Sequence, residues 1–401
     1  MSKIPNSLKI GFFTDDFPSI DISTTEPYES YICGGVGEVV YNLAIEMAKI
    51  GHEVYIFTNK NKGNTQTYNY QNIKIIKYKS LFFFGMTPIS LKLIFNPFLS
   101  GIKLDIVHIH MGTIPAAISG YFFSKHHRIP MIITYHGDIF SNFGNYLYRG
   151  TQLLCVFLSN YLLKKCDKII ALSQYHIDES KYIRKYQEKI VIISNGVNFL
   201  DYNDQISKEK ARNLLNLSQK IKIILFVGSL VKRKGLDLLI KAISYIYTKK
   251  NGLQLIIIGD GSSKQEFIDL SKKLGLEKSV IFKGYLSNPK EKVLYYKSAD
   301  VFVLPSYSEA YPLTLLEASA AGLPLISSNL ECIKAIIQDG KNGLLFTKGN
   351  EFDLSEKILI LLKNDKLRIE LGNQAKKRIQ NLSWEKIAKR TEKLYWDTLY
   401  V

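Results

Sequence analysis

Cysteine is scarce in this 401-residue chain and never paired at short range: Cys33, Cys155, Cys166 and Cys332 lie far apart, with no C-x-x-C among them. That spacing argues against a zinc site or a disulfide framework and points to a reducing compartment. The start of the chain has no apolar core followed by a small-residue cleavage site. It runs instead into the strand-like Leu8–Thr14, which argues against secretion and for a cytoplasmic protein. No apolar run is long enough to span a bilayer: Leu81–Leu99 is broken by Pro88, Lys92 and Pro97, and Leu153–Leu163 is about half the usual helical span. Neither G-x-G-x-x-G nor G-x-x-x-x-G-K-[ST] occurs, so the familiar dinucleotide and P-loop cradles are missing. Extended polar tracts and solenoid-length repeats are also missing, which excludes disordered, fibrous and repeat architectures.

What is present is a globular composition, 46% hydrophobic and 22% charged, in a chain too long for one ordinary core and suited to two α/β domains. The formal charge of +17 gives a surface drawn to polyanions: nucleic acid, anionic lipid or a phosphorylated substrate. Charge does not choose among them, and a composition bias toward lysine accounts for it equally well.

Short β-rich apolar runs alternate with longer stretches of helical periodicity, the signature of parallel βαβ units. Strands are expected at Leu8–Thr14, Glu53–Thr58, Ile106–His110, Met131–Tyr135, Lys168–Ala171 and Ile190–Ile193, forming one sheet. A polar stretch from Asp201 to Lys220 interrupts the pattern, and its early part reads as an interdomain linker. A second series follows at Ile221–Val227, Leu253–Ile258, Val280–Lys283, Val301–Leu304 and Leu325–Ser328. The expected architecture is α/β: two Rossmann-like domains, residues 1–198 and 199–382, with parallel sheets facing a central cleft. An amphipathic helix over 383–401, carrying Trp384, Ile387, Leu394 and Tyr395 on or near one face, is expected to pack back on the first domain. Open parallel sheets bind ligands beyond the carboxyl ends of their strands. Gly228, Gly259-Asp260-Gly261, Gly284-Tyr285 and Pro305-Ser306 cluster there, which places the expected site in the cleft.

The most specific phrase is Pro305-Ser-Tyr-Ser-Glu309-Ala310-Tyr311-Pro312-Leu313-Thr314-Leu-Leu-Glu317-Ala-Ser-Ala-Ala-Gly322-Leu-Pro324: a strand end, a loop, a short helix and a stop. Pro312 suits a first helical turn, and Gly322 followed by Pro324 a C-terminal stop. The start of such a helix offers backbone N–H donors and the positive end of the macrodipole to an anionic phosphate without a metal. Glu309 falls in the loop before the helix and Glu317 inside it. A helical glutamate can accept from two adjacent hydroxyls such as a ribose diol, and one at the strand end can meet sugar hydroxyls. Taken singly, Glu309 also reads as a cap and Glu317 as a solvated helix position.

Gly228-Ser229-Leu-Val-Lys232-Arg233-Lys234-Gly235 opens the next helix and brings cations to the same end of the sheet. Gly34-Gly35-Val36-Gly37 precedes another helical pattern and lets the backbone approach a ligand closely. His108 and His110 fall on one face of a strand by period two, while His136 follows the next strand. A satisfied core histidine is the better reading of His108, and with no third ligand apparent no metal is expected.

With these phrases the chain resembles glycosyltransferase family 4, retaining enzymes of the GT-B fold, over nearly its whole length. The resemblance implies a nucleotide-diphosphate sugar donor held mainly by the second domain, with the acceptor on the side of the first. It implies that Glu309 meets the donor sugar and Glu317 the nucleotide ribose, that Lys234 binds phosphate, and that His136 lies near the transferred sugar. Donor contacts are further implied at Gly35, Gly37, Ser173, Asn195, Gly228, Gly259, Gly261, Tyr285, Leu286, Tyr311, Leu313 and Thr314. Two positions depart from the family pattern. Ser229 stands where an arginine is common, so Arg233 is expected to supply the second positive charge, and Ala310 stands where glycine is common.

The expectation is therefore a retaining, cofactor- and metal-independent hexosyltransferase acting on a glycan or lipid-linked acceptor, with no nucleic-acid partner. Glucan elongation of the starch-synthase kind is the alternative, weakened by Cys33 in place of a lysine. A non-catalytic nucleotide-sugar-binding subunit is kept open by Ser229 and Ala310, and a nicotinamide dehydrogenase is disfavoured by the missing fingerprint. The aromatic and basic region Lys74–Lys103, with Phe82, Phe83, Phe84, Phe95 and Phe98, suits either peripheral contact with the cytoplasmic membrane face or an ordinary inward-packed helix.

Overall fold

The computed structural model describes residues 7–18, 34–60, 63–84, 87–112, 114–138, 146–202, 206–247 and 252–400. The chain forms two compact units, residues 1–195 with 384–401 and residues 196–383. The chain thus leaves the first unit at Asn195 and re-enters it at Trp384.

The first unit runs β1 (Lys9–Phe13), α1 (Gly35–Ile50), β2 (Glu53–Lys60), β3 (Gln66–Tyr70), β4 (Ile73–Lys79), β5 (Phe82–Phe84), β6 (Thr87–Ile89) and α2 (Leu91–Leu99). It continues with β7 (Ile106–Met111), α3 (Pro115–His127), β8 (Met131–Tyr135), α4 (Tyr146–Lys165), β9 (Lys168–Ala171), α5 (Gln174–Glu179) and β10 (Ile190–Ile192). Its eight-stranded sheet has the order β10-β9-β8-β7-β1-β2-β4-β3, parallel except for the edge pair β3–β4. Most of β4, the β5–β6 hairpin and α2 lie in the basic aromatic stretch Lys74–Lys103, and β3 precedes it. Lysines 74, 77 and 79 blur the alternation of β4, and Lys77 is buried with its amine donating to the Pro18 carbonyl at 2.9 Å.

Strand β7 is buried along its whole length because helices cover both faces of the sheet. Val107, Ile109 and Met111 join Phe13, Phe57, Phe123 and Leu162 in the core beneath α2, α3 and α4. His108 and His110 point to the other face by period two and meet Phe12. On that face α1 packs against the chain's last helix, Trp384–Leu399. Trp384, Ile387, Leu394 and Tyr395 of this helix are all buried. His52 helps to hold it: Nδ1 accepts from the Leu8 N–H at 3.1 Å, and Nε2 lies 3.2 Å from the Glu392 carboxylate.

The second unit comprises α6 (Phe199–Tyr202), α7 (Lys208–Leu214), β11 (Lys222–Val227), α8 (Leu236–Tyr247), β12 (Leu253–Ile258), α9 (Lys264–Lys273), β13 (Val280–Gly284) and α10 (Pro289–Ser298). After these come β14 (Val301–Leu304), α11 (Leu313–Ala320), β15 (Leu325–Ser328), α12 (Glu331–Lys334), β16 (Leu344–Phe346), α13 (Glu351–Lys363) and α14 (Asp365–Arg378), and the terminal helix is α15. All six strands are parallel, in the order β13-β12-β11-β14-β15-β16. The polar stretch read as a linker contains α7, which Arg212 anchors by donating to Asp300 at 2.8 Å; the same carboxylate accepts from the Ile223 N–H at 2.7 Å. Among the described residues no helix is long and apolar enough to cross a membrane.

Candidate functional site

The carboxyl ends of β11 to β14 are drawn together through backbone contacts. Gly259, after β12, has φ +138°, and a Cβ there would stand 1.9 Å from the Gly228 carbonyl oxygen after β11. No other residue fits that approach. Gly235 closes the turn Lys232–Lys234 with φ +66°, and its Cβ would stand 2.1 Å from the Pro305 carbonyl oxygen. The basic turn is thereby pressed onto the loop after β14, where the Tyr307 N–H donates to the Arg233 carbonyl at 2.8 Å.

Glu309 is the hub of that loop. Lys234 Nζ donates to its Oε1 at 2.5 Å, and the Ser306 hydroxyl donates to the same oxygen at 2.7 Å. Arg233 Nη1 donates to the Ser308 carbonyl at 3.3 Å and lies 3.9 Å from Glu309 Oε2. The buried Cys332 thiol donates to the Glu309 carbonyl at 3.1 Å. Burial alone pushes the Glu309 carboxyl up, but Lys234, Arg233 and the hydrogen bonds from Lys234 and Ser306 together hold it below its ordinary value, so it stays ionised. Burial pulls Lys234 below the usual lysine range, an effect its partner only partly offsets.

Helix α11 follows at once. Pro312 is its N-cap and not its first helical residue, and no side chain caps the helix. Its first N–H groups lack intrahelical acceptors, and Leu313 and Thr314 are half-buried at this end. Glu317 is not a solvated position: it is buried, accepting from Lys292 Nζ and from the Tyr296 hydroxyl, each at 2.7 Å. Both donors come from α10, and neither was singled out in the sequence, nor was a place for Cys332 in this site, whereas Ser306 falls in the Pro305-Ser306 strand end expected here. The usable signal was the four-residue spacing of Lys292 and Tyr296 on one helix face. Ser229, Ala310, Tyr285 and Leu286 are half-buried beside these loops, Tyr311 is buried, and Gly261 packs on the Leu230 carbonyl.

The first unit's singled-out residues also gather at the carboxyl edge of their sheet. Gly35 and Gly37 form the first turn of α1, whose N-cap Gly34 donates its N–H to the Asp16 carboxylate. Cys33 lies outside the described residues. His136 follows β8, with Nε2 3.1 Å from His110 Nδ1. Desolvation carries His136 down to about 3 and His110 well below its ordinary value, so the pair is neutral. His108 is a satisfied core residue, with Nδ1 2.6 Å from the Tyr395 hydroxyl and Nε2 2.7 Å from Thr134 Oγ1. Ser173 caps α5, accepting from the His176 N–H at 3.0 Å, and Asn195 is buried.

Two family models match, "Glycosyltransferase Family 4" over residues 33–199 and "Glycosyl transferases group 1" over residues 207–378. The chain is 29% identical over 399 residues to an alpha-monoglucosyldiacylglycerol synthase of Acholeplasma laidlawii, covering 94% of this chain and 96% of that one. It is 25% identical over 409 residues to a D-inositol 3-phosphate glycosyltransferase of Corynebacterium aurimucosum, covering 96% of each. Among solved structures, sucrose-phosphate synthase from Thermosynechococcus elongatus superposes with a TM-score of 0.79 at 22% identity, over 97% of this chain and 98% of that one. Anabaena HepE in complex with UDP-glucose superposes with a TM-score of 0.75 at 17% identity, over 97% and 100%.

Proposed function

The chain belongs to glycosyltransferase family 4, with the GT-B fold, and from that premise we propose that it transfers a sugar with retention, without a metal, from a nucleotide-diphosphate sugar to a glycan or lipid-linked acceptor. The observation that carries the proposal is the Lys234–Glu309–Ser306 constellation beside the uncapped start of α11. One buried cation, one ionised carboxylate and a set of backbone donors converge where a diphosphate and its sugar would lie. That relatives include glucosyl-lipid and inositol-phosphate glycosyltransferases, and that HepE is described with UDP-glucose, supports the donor class.

In this mechanism Lys234, Arg233 and the first N–H groups of α11 stabilise the diphosphate as the bond from the anomeric carbon to its phosphate oxygen breaks. The acceptor hydroxyl attacks from the face the diphosphate leaves. Its proton passes to the departing phosphate oxygen, so no protein nucleophile is consumed. Glu309 accepts hydrogen bonds from sugar hydroxyls, and His136, neutral across the physiological range, positions the sugar as well. Glu317, aimed by Lys292 and Tyr296, accepts from the ribose diol. Screening nucleotide sugars for protection against thermal unfolding tests the donor assignment. A matching donor at about 100 times its Kd adds about 2.7 kcal/mol, and no protection by any member of a broad panel would overturn it.

A further inference from the structure

The first unit turns apolar side chains outward on two helices of one face. On α2, Leu91, Phe95 and Leu99 recur every fourth residue and are 50%, 46% and 69% exposed. On α4, Leu153, Leu154, Phe157 and Tyr161 fall within an arc of about 100° at 3.6 residues per turn. Leu153 and Phe157 are 66% and 68% exposed. The two helices flank α3: Phe98 of α2 meets Phe122 of α3 with ring centroids 6.3 Å apart, and the hydroxyls of Tyr121 on α3 and Tyr161 on α4 are 3.0 Å apart. The opposite side of each helix is anchored in the core by Leu93, Phe123 and Leu162. The outward stripes are therefore a second apolar face that folding of this unit leaves uncovered.

Helices α2, α3 and α4 carry no acidic residue, and the stretch of sequence around them is nearly as one-sided. Residues 54–166 hold twelve lysines and arginines but only two acids, Asp105 and Asp138. Both acids are engaged elsewhere: Asp105 accepts from the Lys9 N–H, and Asp138 from the Tyr135 and Ser180 hydroxyls. Exposed Lys92 adjoins the α2 stripe, Lys125 lies on α3, and Lys164 and Lys165 end the α4 stripe, with Lys165 over the Tyr161 ring at 5.8 Å.

We propose that the α2–α3–α4 face docks the protein on an anionic lipid bilayer, the apolar stripes entering the headgroup–acyl boundary and the lysines meeting lipid phosphates. This deepens the reading of a lipid-linked acceptor and rests on it only for the purpose of docking, since vesicle binding is measured without donor or acceptor. It also shifts the contact away from the single segment Lys74–Lys103, giving α4 the larger share.

Sedimentation with vesicles of phosphatidylcholine containing 30% phosphatidylglycerol tests it. The expected result is binding that falls at least tenfold on omitting phosphatidylglycerol or raising salt to 0.5 M. Leu153→Ser/Phe157→Ser and Lys164→Glu/Lys165→Glu should each weaken it by a similar factor. All four positions are exposed, so the variants should keep the wild-type melting temperature and its increase with nucleotide diphosphate. No binding to anionic vesicles, binding untouched by either variant, or a concentration-dependent dimer lost in Leu153→Ser/Phe157→Ser without vesicle binding would overturn the proposal. Failure of nucleotide protection with vesicle binding intact would instead strike the donor reading.

Discussion

Replacing Lys234 by methionine removes the cation nearest a carboxylate that the fold has taken out of water. The side chains of Lys234 and Glu309 are 12% and 6% exposed, and their 2.5 Å contact is the shortest the carboxylate makes. Breaking a buried pair from one side costs about 3–5 kcal/mol. Arg233, 3.9 Å away but 49% exposed, recovers part of this through a solvent-screened attraction. A loss of about 2–3 kcal/mol remains, or about 4–12 °C in the melting temperature of a unit of this size. Glu309→Gln leaves the opposite charge stranded and should also destabilise. The double variant should lose less than the sum, with a coupling of about 2 kcal/mol. The pH dependence has a definite sign. In the wild type Glu309 is held below its ordinary value, so the pair's contribution is present above the carboxylate range and lost as pH falls through the folded value. In Lys234→Met burial dominates and pushes Glu309 up, so the deficit should shrink between pH 7 and pH 5. Calorimetry of the four proteins at both pH values measures this. Additive losses, or a deficit independent of pH, would refute the reasoning.

Glu317→Ala should weaken binding of a nucleoside diphosphate by about ten- to a hundredfold, the worth of one or two hydrogen bonds to a charged acceptor, in a calorimetric titration. Tyr395→Phe strands the buried His108 Nδ1 and should cost about 1–3 kcal/mol in urea unfolding. His108, His136 and His176 are held by burial at about 3, 3 and 4. The unfolded chain binds protons on them from about pH 6.5 downward while the native one does not, so each removes up to about 1.4 kcal/mol per pH unit. The first unit should lose its stability below pH 6 ahead of the second, as followed by circular dichroism.

The parallel sheets were legible because strands such as Ile106–Met111 and Leu253–Ile258 are continuous apolar runs between helices of clear periodicity. Strands β3 and β4 were not, since a lysine-studded edge lacks that contrast, and the three residues of β16 are too few to make a pattern. In the candidate site, local phrases brought out the Glu309 loop, the basic turn and the uncapped helix. Contacts made across the fold were harder to read: Tyr395 reaches His108 from the far end of the chain, and the spacing of Lys292 and Tyr296 marks one helix face without saying that Glu317 lies against it. The outward stripe of α4 reads in sequence as an ordinary short apolar segment, because exposure is decided by which face the core claims.

The most direct test follows nucleoside diphosphate release from the nucleotide sugar that best protects the purified chain, in the presence of glycan or lipid acceptors. The wild type should release diphosphate and form product with the donor's anomeric configuration by nuclear magnetic resonance, whereas Lys234→Ala and Glu309→Gln should each lose at least a hundredfold in kcat/KM. Wild-type turnover in both variants, or an inverted product, would contradict the account.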